Sequence, residues 1–253
     1  GEFMGNDFDY YMKIKNEISK VMLKYTYALN ILETELNILI SEYEFSHHYN
    51  PVEHIKSRIK STDSIIRKLE NKGFDLIIDN IDNLHDIVGI RIVCSFLSDV
   101  HTIVDLIEKS NNIVVKKKKD FINEPKSTGY TSYHLIVSVP IYLSSGLEMV
   151  DAEIQIRTVA MDFWASLNHK IQYKFPKEIP DEIKNELYDY SLELKNMDAR
   201  LDTLHELLEN YANSPKKDLF RGLFYLFQIL AKINISSLRR FCPPAIFNFN
   251  YFS

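Results

Sequence analysis

The apolar residues of this chain change their spacing twice, and this change constrains the fold more than any other feature of the sequence. From about Tyr10 to Tyr43 they recur every three or four positions, as on one face of a long helix. After the break HHYNP we expect a second helix from Pro51 to about Asn71, which is rich in basic residues. The chain therefore begins with helices.

The middle of the chain has the two-residue spacing of β-strands. Runs of this type at residues 90–95, 133–139 and 150–157 predict at least three strands. An amphipathic segment from Val100 to Lys109 lies between the first two runs, and a helical pattern with Trp164 follows the last. Because helices interleave with strands, the predicted fold class is α+β.

The last third of the chain contains a heptad seam with charged residues between its apolar positions. Its members are separated by alternating steps of four and three: Ile183, Leu187, Tyr190, Leu194, Met197, Leu201, Leu204, Leu208 and Tyr211. Such a stripe packs either on the same chain or on another subunit, and the spacing alone favours neither.

These patterns divide the chain into five segments. Residues 1–5 are typical of a cloning remnant with a start at Met4, and residues 6–50 form the predicted N-terminal helix. A central α+β domain follows at 51–178, and the heptad helix covers 179–213. Residues 214–253 are rich in Phe and are typical of a docking tail, a partner surface or a membrane-surface helix.

Composition excludes several classes of protein. The chain has only seven glycines in 253 residues, and neither G-x-x-x-x-G-K-[ST] nor G-x-G-x-x-G occurs, so the two commonest glycine-rich phosphate loops are absent. A net charge of −5 argues against a global nucleic-acid footprint. Two isolated cysteines, of which Cys94 lies in an apolar run, indicate a reducing cytoplasm, and no segment is typical of a leader or a membrane span.

The strand at 150–157 has an unusual polar face. Side chains two positions apart on a strand point the same way, so Glu153, Gln155 and Arg157 share one face. This face either lines a ligand site or is the plain solvent-exposed side of an antiparallel sheet.

Two further segments have both a functional and an ordinary explanation. In LHDIVGIRIV, Asp86 and Arg91 could hold a metal and a phosphate, or serve as turn and salt-bridge residues, and His85 with Asp86 also matches the metal-binding HD dipeptide of phosphohydrolases. The run KKKKD at 116–120 precedes Lys126 and Tyr130. It suits a nucleotide or a solvated lysine-rich loop.

Taken together, SRIKSTDSIIRKL, HDIVGIRIVC, KSTGYTSYH and EIQIRTVAMDFWASLNHKIQYK resemble the synthetase domain of the RelA/SpoT superfamily. The resemblance is to its stand-alone members, the small alarmone synthetases of the RelQ type. It implies a mixed β-sheet flanked by helices, related to nucleotidyltransferases. It also implies an enzyme that transfers the β,γ-pyrophosphate of ATP to the 3′-hydroxyl of GDP or GTP, with GMP a further candidate acceptor, and releases AMP.

The resemblance implies a role for each matching residue. Glu153 would be the general base, and Asp86 and Glu153 would hold Mg²⁺. The ATP-binding residues would be Arg58, Lys60, Ser64, Lys68 and Arg91, with the two arginines on either side of adenine. The guanine nucleotide would be bound by Lys126, Tyr130, His134, Gln155 and Asp162, with Tyr130 stacked on the base.

The family pattern also implies partners. Relatives form homotetramers through their terminal helices and bind alarmone in a central cleft. The sequence departs from the pattern at Thr131 and Asn168, where relatives often carry a basic residue and Glu, and mildly at Val88. A hydrolase domain is not expected.

The alternative function is a catalytically weak regulator that binds nucleotide or single-stranded RNA through Lys116 to Lys119 and Tyr130. An HD-type phosphohydrolase is the third hypothesis.

Overall fold

The chain folds around one five-stranded mixed sheet. The structure, a computed structural model, describes residues 2–174 and 179–212. The strands are β1 (Val52–Ile59), β2 (Val88–Cys94), β3 (Val114–Asp120), β4 (Tyr133–Leu143) and β5 (Gly146–Thr158). Their order is β1-β2-β5-β4-β3; β2 and β5 run parallel, and every other neighbouring pair is antiparallel.

The described part of the chain also contains five helices. They are α1 (Glu2–His47), α2 (Thr62–Asn71), α3 (Leu97–Lys109), α4 (Val159–Lys174) and α5 (Asp181–Ala212), and a short 3₁₀ turn covers Ile78–Asn83. The α+β class and the mixed sheet are confirmed, as are the predicted helices at the N-terminus, at 100–109 and in the heptad region. The described part of the chain has no helix long and apolar enough to cross a bilayer.

One face of the sheet is apolar and lies under α1 and α3. Ile90, Ile92, Ile154 and Ile156 are at most 1% exposed, and they join the same core as the buried face of each of these helices. Cys94 lies in this core as a free thiol, which confirms its predicted burial, and desolvation raises its pKa. The opposite face carries the polar residues and remains accessible.

The predicted helix at 51–71 is wrong over its first half. Residues 52–59 form the edge strand β1, and the helix begins only at Thr62, after Ser61, whose side chain accepts from the backbone of Ser64. In β1 the half-buried residues Val52, Ile55 and Ile59 are three and four positions apart, which imitates a helix. An irregularity in the pairing with β2 between residues 52 and 54 breaks the two-residue alternation.

The lysine run is an edge strand rather than a loop. Residues 116–119 lie in β3, which pairs with β4 alone. An edge strand with few buried side chains shows no apolar alternation, so the sequence gives no strand signal there. Lys116 and Lys118 form ion pairs with Asp151 and Glu108 of the same chain.

The chain divides into two units after Asp202, and the described part of the second unit is residues 203–212 at the end of α5. In the first unit, α5 packs through Leu187, Ser191 and Asp198, which are all at most 8% exposed. Most of the heptad seam is at least 40% exposed instead: Ile183, Tyr190, Met197 and Leu201, and in the second unit Leu204, Leu208 and Tyr211. The proposed tail at 214–253, with Cys242, lies outside the described residues.

Helix α5 lies directly against the loop before β4. Gly129 has a φ of +77°, and a Cβ at this position would stand 2.1 Å from Ser191 Oγ. Lys195 Nζ also donates to the carbonyl oxygen of Ile122, 3.3 Å away, in the same loop. The position of Tyr130, the next residue after Gly129, therefore depends on α5.

We expect Gly129→Ala to lower the free energy of unfolding by about 1–3 kcal/mol more than Gly73→Ala, measured by urea denaturation. Gly73 is a matched control because its φ is +70° and a Cβ there would meet nothing within 4 Å. Both variants carry the strain of an L-residue at positive φ, and only Gly129→Ala adds the clash with Ser191. Equal losses of stability would contradict this packing.

Candidate functional site

The polar face of the sheet is built from facing positions on β1, β2, β5 and β4. Glu153 pairs with Gly89 of β2 on one side and with Ile136 of β4 on the other. Gln155 lies between Arg91 and His134 in the same way. The predicted convergence of Glu153, Gln155 and Arg157 is therefore found on a face that lines a cleft and not on a plain outer surface. The cleft has a volume of about 200 Å³ and is lined by Lys56, Ser57, Arg58, Asp86, Gly89, Ile90, Arg91, Glu153 and Gln155.

Asp86 lies just before β2 and is held by two lysines. Lys60 Nζ stands 2.6 Å from Asp86 Oδ2, and Lys68 Nζ of α2 binds the same oxygen. Burial opposes ionisation of the carboxyl, but hydrogen bonds from both lysines outweigh it and lower the pKa of Asp86. The other oxygen, Asp86 Oδ1, is buried and has no hydrogen-bond partner among the described residues. The site thus contains an ionised carboxylate with one unused oxygen.

Glu153 is held by two hydrogen bonds, one to each carboxylate oxygen. His134 Nδ1 lies 3.1 Å from Oε1, and Gln155 Nε2 donates to Oε2 over 2.9 Å. Burial by itself would raise the pKa of Glu153, but the hydrogen bonds from His134 and Gln155 prevail and lower it to about 2. Glu153 is therefore ionised throughout the neutral range.

Tyr130 contacts His134, the residue that binds Glu153, and Lys126 lies over the Tyr130 ring. Tyr130 Oη is 2.8 Å from His134 Nε2, and Lys126 Nζ stands 5.0 Å from the centre of the Tyr130 ring. Phe121 packs edge-on against both rings and also lies under Lys126. The group combines aromatic rings with a cation that lies over them, and these two features suit a nucleobase that carries phosphates.

Asp162, in the first turn of α4, joins two arginines. Its Oδ1 accepts from Arg157 Nη1 at 3.0 Å and lies 3.2 Å from Arg91 Nη1. Arg91 Nε is buried and has no partner among the described residues. Burial, followed by the repulsion from Arg157, lowers the pKa of Arg91. Two guanidinium groups thus share one carboxylate at this end of the cleft.

The structure brings nearly all the predicted site residues into one continuous region. The exception is Ser64, whose hydroxyl lies 2.8 Å from Ser61 Oγ at the start of α2. Sequence reasoning missed Lys56 as a cleft residue, because β1 was interpreted as a helix. It also left Arg157 out of the site, although the alternating E-x-Q-x-R pattern pointed to it.

The HD dipeptide does not form a histidine–aspartate metal site. His85 Nδ1 binds Asp151 Oδ2 at 2.8 Å, whereas Asp86 pairs with lysines. Within the described ranges, no group of three His, Cys, Asp or Glu side chains is arranged to hold a metal. This geometry argues against the phosphohydrolase hypothesis.

Comparison with known proteins agrees with the motifs. Residues 57–178 match the region found in RelA/SpoT proteins. The GTP pyrophosphokinase YwaC of Bacillus subtilis (strain 168) is 45% identical over 174 residues, which cover 68% of this chain and 81% of that protein.

Solved structures of small alarmone synthetases are similar to this structure. Small alarmone synthetase 2 from Bacillus subtilis is 40% identical with a TM-score of 0.69, and the match covers 75% of this chain and 98% of the other. Small alarmone synthetase 1 from the same organism, bound to its product pppGpp, is 30% identical with a TM-score of 0.71 and coverages of 77% and 99%. The chain therefore belongs to the RelA/SpoT family, among its small alarmone synthetases.

Proposed function

We propose that this pyrophosphokinase transfers the β,γ-pyrophosphate of ATP to the 3′-hydroxyl of GDP or GTP and releases AMP. The observation that carries the proposal is the position of the ionised Glu153 between two different sets of binding groups. On one side lie Asp86 and its lysines; on the other lie Tyr130 and Lys126. The pppGpp bound to a relative supports a guanosine acceptor.

The donor would bind on the side of β1, α2 and β2. Lys60 and Lys68 are the cations nearest Asp86, and both can turn from its carboxylate to the phosphates of ATP. Arg58 of β1 lies opposite Gly89 of β2, and its Cγ and Nε would be 3.7 Å from a Cβ built on that glycine. Arg91 lies on β2, two residues after Gly89. A guanidinium group on each side of adenine gives the cation–ring contact that the family pattern implies.

The acceptor would bind with its base on Tyr130 and its ribose near Glu153. Because Glu153 is ionised at neutral pH, it can accept the proton of the 3′-hydroxyl. A carboxylate with a pKa of about 2 is a weak base, so the hydroxyl must become more acidic before the proton moves. Alignment and electrostatic stabilisation then carry most of the rate enhancement.

The residues present fit a magnesium ion. Asp86 Oδ1 is an unpaired buried oxygen next to the proposed phosphate site, and Mg²⁺ in phosphoryl-transfer enzymes is commonly held by one or two carboxylates with substrate phosphates. Asp86 and Glu153 would hold it. When bound, the ion would neutralise charge on the transferred group and acidify the attacking hydroxyl.

The lysine run at 116–119 gives less support to the alternative of an RNA-binding regulator than its composition suggests. Lys116 and Lys118, half of the lysine run, are already paired with Asp151 and Glu108. A pure binder of polyanions gains nothing from the half-buried carboxylates Asp86 and Glu153 in its groove. RNA and alarmone remain proposed regulatory ligands.

We also infer synthesis without hydrolysis, a cytoplasmic location and a homotetramer. Because His85 pairs with Asp151, the HD dipeptide is not arranged as a hydrolytic metal site, which supports synthesis without hydrolysis. The proposed use of ATP and GTP supports a cytoplasmic location. The exposed apolar seam of α5, which includes Tyr190, Met197 and Leu201, supports assembly through this helix. The number four comes from the family pattern.

The decisive experiment is to incubate the protein with ATP, Mg²⁺ and GDP, GTP or GMP, and to separate the nucleotides. We expect AMP together with a 3′-pyrophosphorylated guanosine nucleotide.

Glu153→Gln should lower kcat by about 10²–10⁴-fold, because the amide cannot accept the proton. Glu148→Gln, the same change at the outer end of β5, is the control. A Glu153→Gln enzyme as active as the wild type would refute the role of Glu153, and no AMP from the wild type would refute the function.

Asp86→Asn should raise the Mg²⁺ concentration that gives half-maximal activity by at least about tenfold. The reason is the loss of an anionic oxygen where the metal would bind. Mn²⁺ binding with ATP present, followed by electron paramagnetic resonance, checks the same point without turnover. Asp63→Asn, an exposed acid on α2 that pairs with Lys15, is the control. An unchanged metal dependence in Asp86→Asn would exclude Asp86 as a ligand.

Leu201→Glu should reduce the molar mass measured by light scattering after gel filtration, because it places a charge in the exposed seam. Leu192→Glu should leave the mass unchanged, since Leu192 is equally exposed, at 43% against 40%, but lies off the seam. If both variants keep the mass of the wild type, the seam is not the interface.

A further inference from the structure

Arg157 is a buried charged residue to which the proposed chemistry assigns no task. It is 4% exposed, on the polar face of β5. Burying a guanidinium group is costly unless its donors are satisfied, so the partners it selects are informative. Arg157 Nη1 donates to Asp162 Oδ1 at 3.0 Å, and Nε lies 3.4 Å from Ser132 Oγ. These contacts fix the plane of the guanidinium group and direct Nη2 toward the cleft.

The first chain of hydrogen bonds from Nη2 runs through two rings. Arg157 Nη2 donates to Tyr130 Oη at 2.7 Å, and Tyr130 Oη lies 2.8 Å from His134 Nε2. His134 Nδ1 lies 3.1 Å from Glu153 Oε1. An ionised carboxylate only accepts, so Nδ1 of the imidazole carries a proton; in the neutral imidazole Nε2 then accepts from the Tyr130 hydroxyl. Each group in this chain then donates toward Glu153.

The second chain runs along the strand. Arg157 Nη2 also donates to Gln155 Oε1, 2.8 Å away. This contact and the one with Glu153 select the same orientation of the Gln155 amide: Oε1 faces Arg157, and Nε2 donates to Glu153 Oε2 at 2.9 Å. Without Arg157 the Gln155 amide would lose the donor that holds its oxygen. The two hydrogens of a single nitrogen atom therefore begin two chains that end on the two oxygens of Glu153.

We propose that Arg157 is a positioning residue that orients Glu153 and Tyr130 together, so that the base and the acceptor platform keep one fixed geometry. This inference rests on the proposed function, because it gives Glu153 and Tyr130 their tasks. Lysine cannot replace Arg157 here. Its single ammonium group lacks the rigid fork that reaches Asp162, Tyr130 and Gln155 at once.

Arg157→Lys should fold like the wild type and lower kcat by about 10²-fold, the usual effect of a small displacement of reacting groups. The KM for ATP should change much less than kcat, because Lys60 and Lys68 bind Asp86 and, within the described ranges, Arg91 is linked to Arg157 only through Asp162. A purely structural role would instead lower the melting temperature and change both kinetic constants. Arg200→Lys, at an exposed arginine of α5, is the matched control.

Tyr130→Phe tests the first chain without disturbing the fold, because it keeps the ring and removes only the hydroxyl. We expect a lower kcat with a KM for GDP within about threefold of the wild-type value. In a double-mutant cycle the two losses should be less than additive, since both substitutions break the same chain. Should Arg157→Lys fail to fold, the kcat of Tyr130→Phe decides alone.

The outcomes separate this inference from the proposed function. A wild-type protein that forms no AMP refutes the function itself. An active wild type with an equally active Arg157→Lys or Tyr130→Phe overturns the positioning role. Fully additive losses in the cycle also overturn it, because they would mean that Arg157 and Tyr130 act independently.

Discussion

The parallel pairing of β2 with β5 is the contact on which the site depends. It places Gly89 opposite Glu153 and Arg91 opposite Gln155. Asp86 stands just before the first residue of β2, so the same pairing brings it to the start of the polar face of β5. The register is fixed by the isoleucines on the other face, which are at most 1% exposed. A slip of one residue would move Glu153 into the core.

This register concentrates charge in the cleft, and the balance is positive. Asp86 is shared by Lys60 and Lys68, and Asp162 by Arg91 and Arg157. Two carboxylates thus serve four cations. Lys60 and Lys68 are ammonium groups with three donors each, so incoming phosphates can bind them without breaking every contact with Asp86.

The sequence predicted the class of fold and the polar strand face, and it missed the two edge strands. Periodicity identifies β2, β4 and β5 because each buries one face. It fails for β1, where an irregularity gives Val52, Ile55 and Ile59 a helical spacing, and for β3, where lysines replace the apolar residues. The site residues were proposed from motifs, because β1, α2, β2 and β5 meet only through strand pairing and packing that no local sequence pattern reveals. Arg157 went unassigned because its role lies in partners that are distant in sequence, Tyr130 and Ser132.

The scarcity of glycine has a direct physical counterpart in the site. A glycine-rich loop offers backbone amides that are fixed before a phosphate arrives, whereas lysine side chains are flexible and lose rotamer entropy on binding. In the proposed donor site, Lys60 and Lys68 are already held by Asp86, so part of that entropy would be lost during folding and not when ATP binds. Asp86 thereby orders the donor side of the cleft, as Asp162 orders Arg91 and Arg157. In the proposed site, carboxylates hold the cationic side chains in place before a phosphate binds, as the backbone holds its amides in a glycine-rich loop.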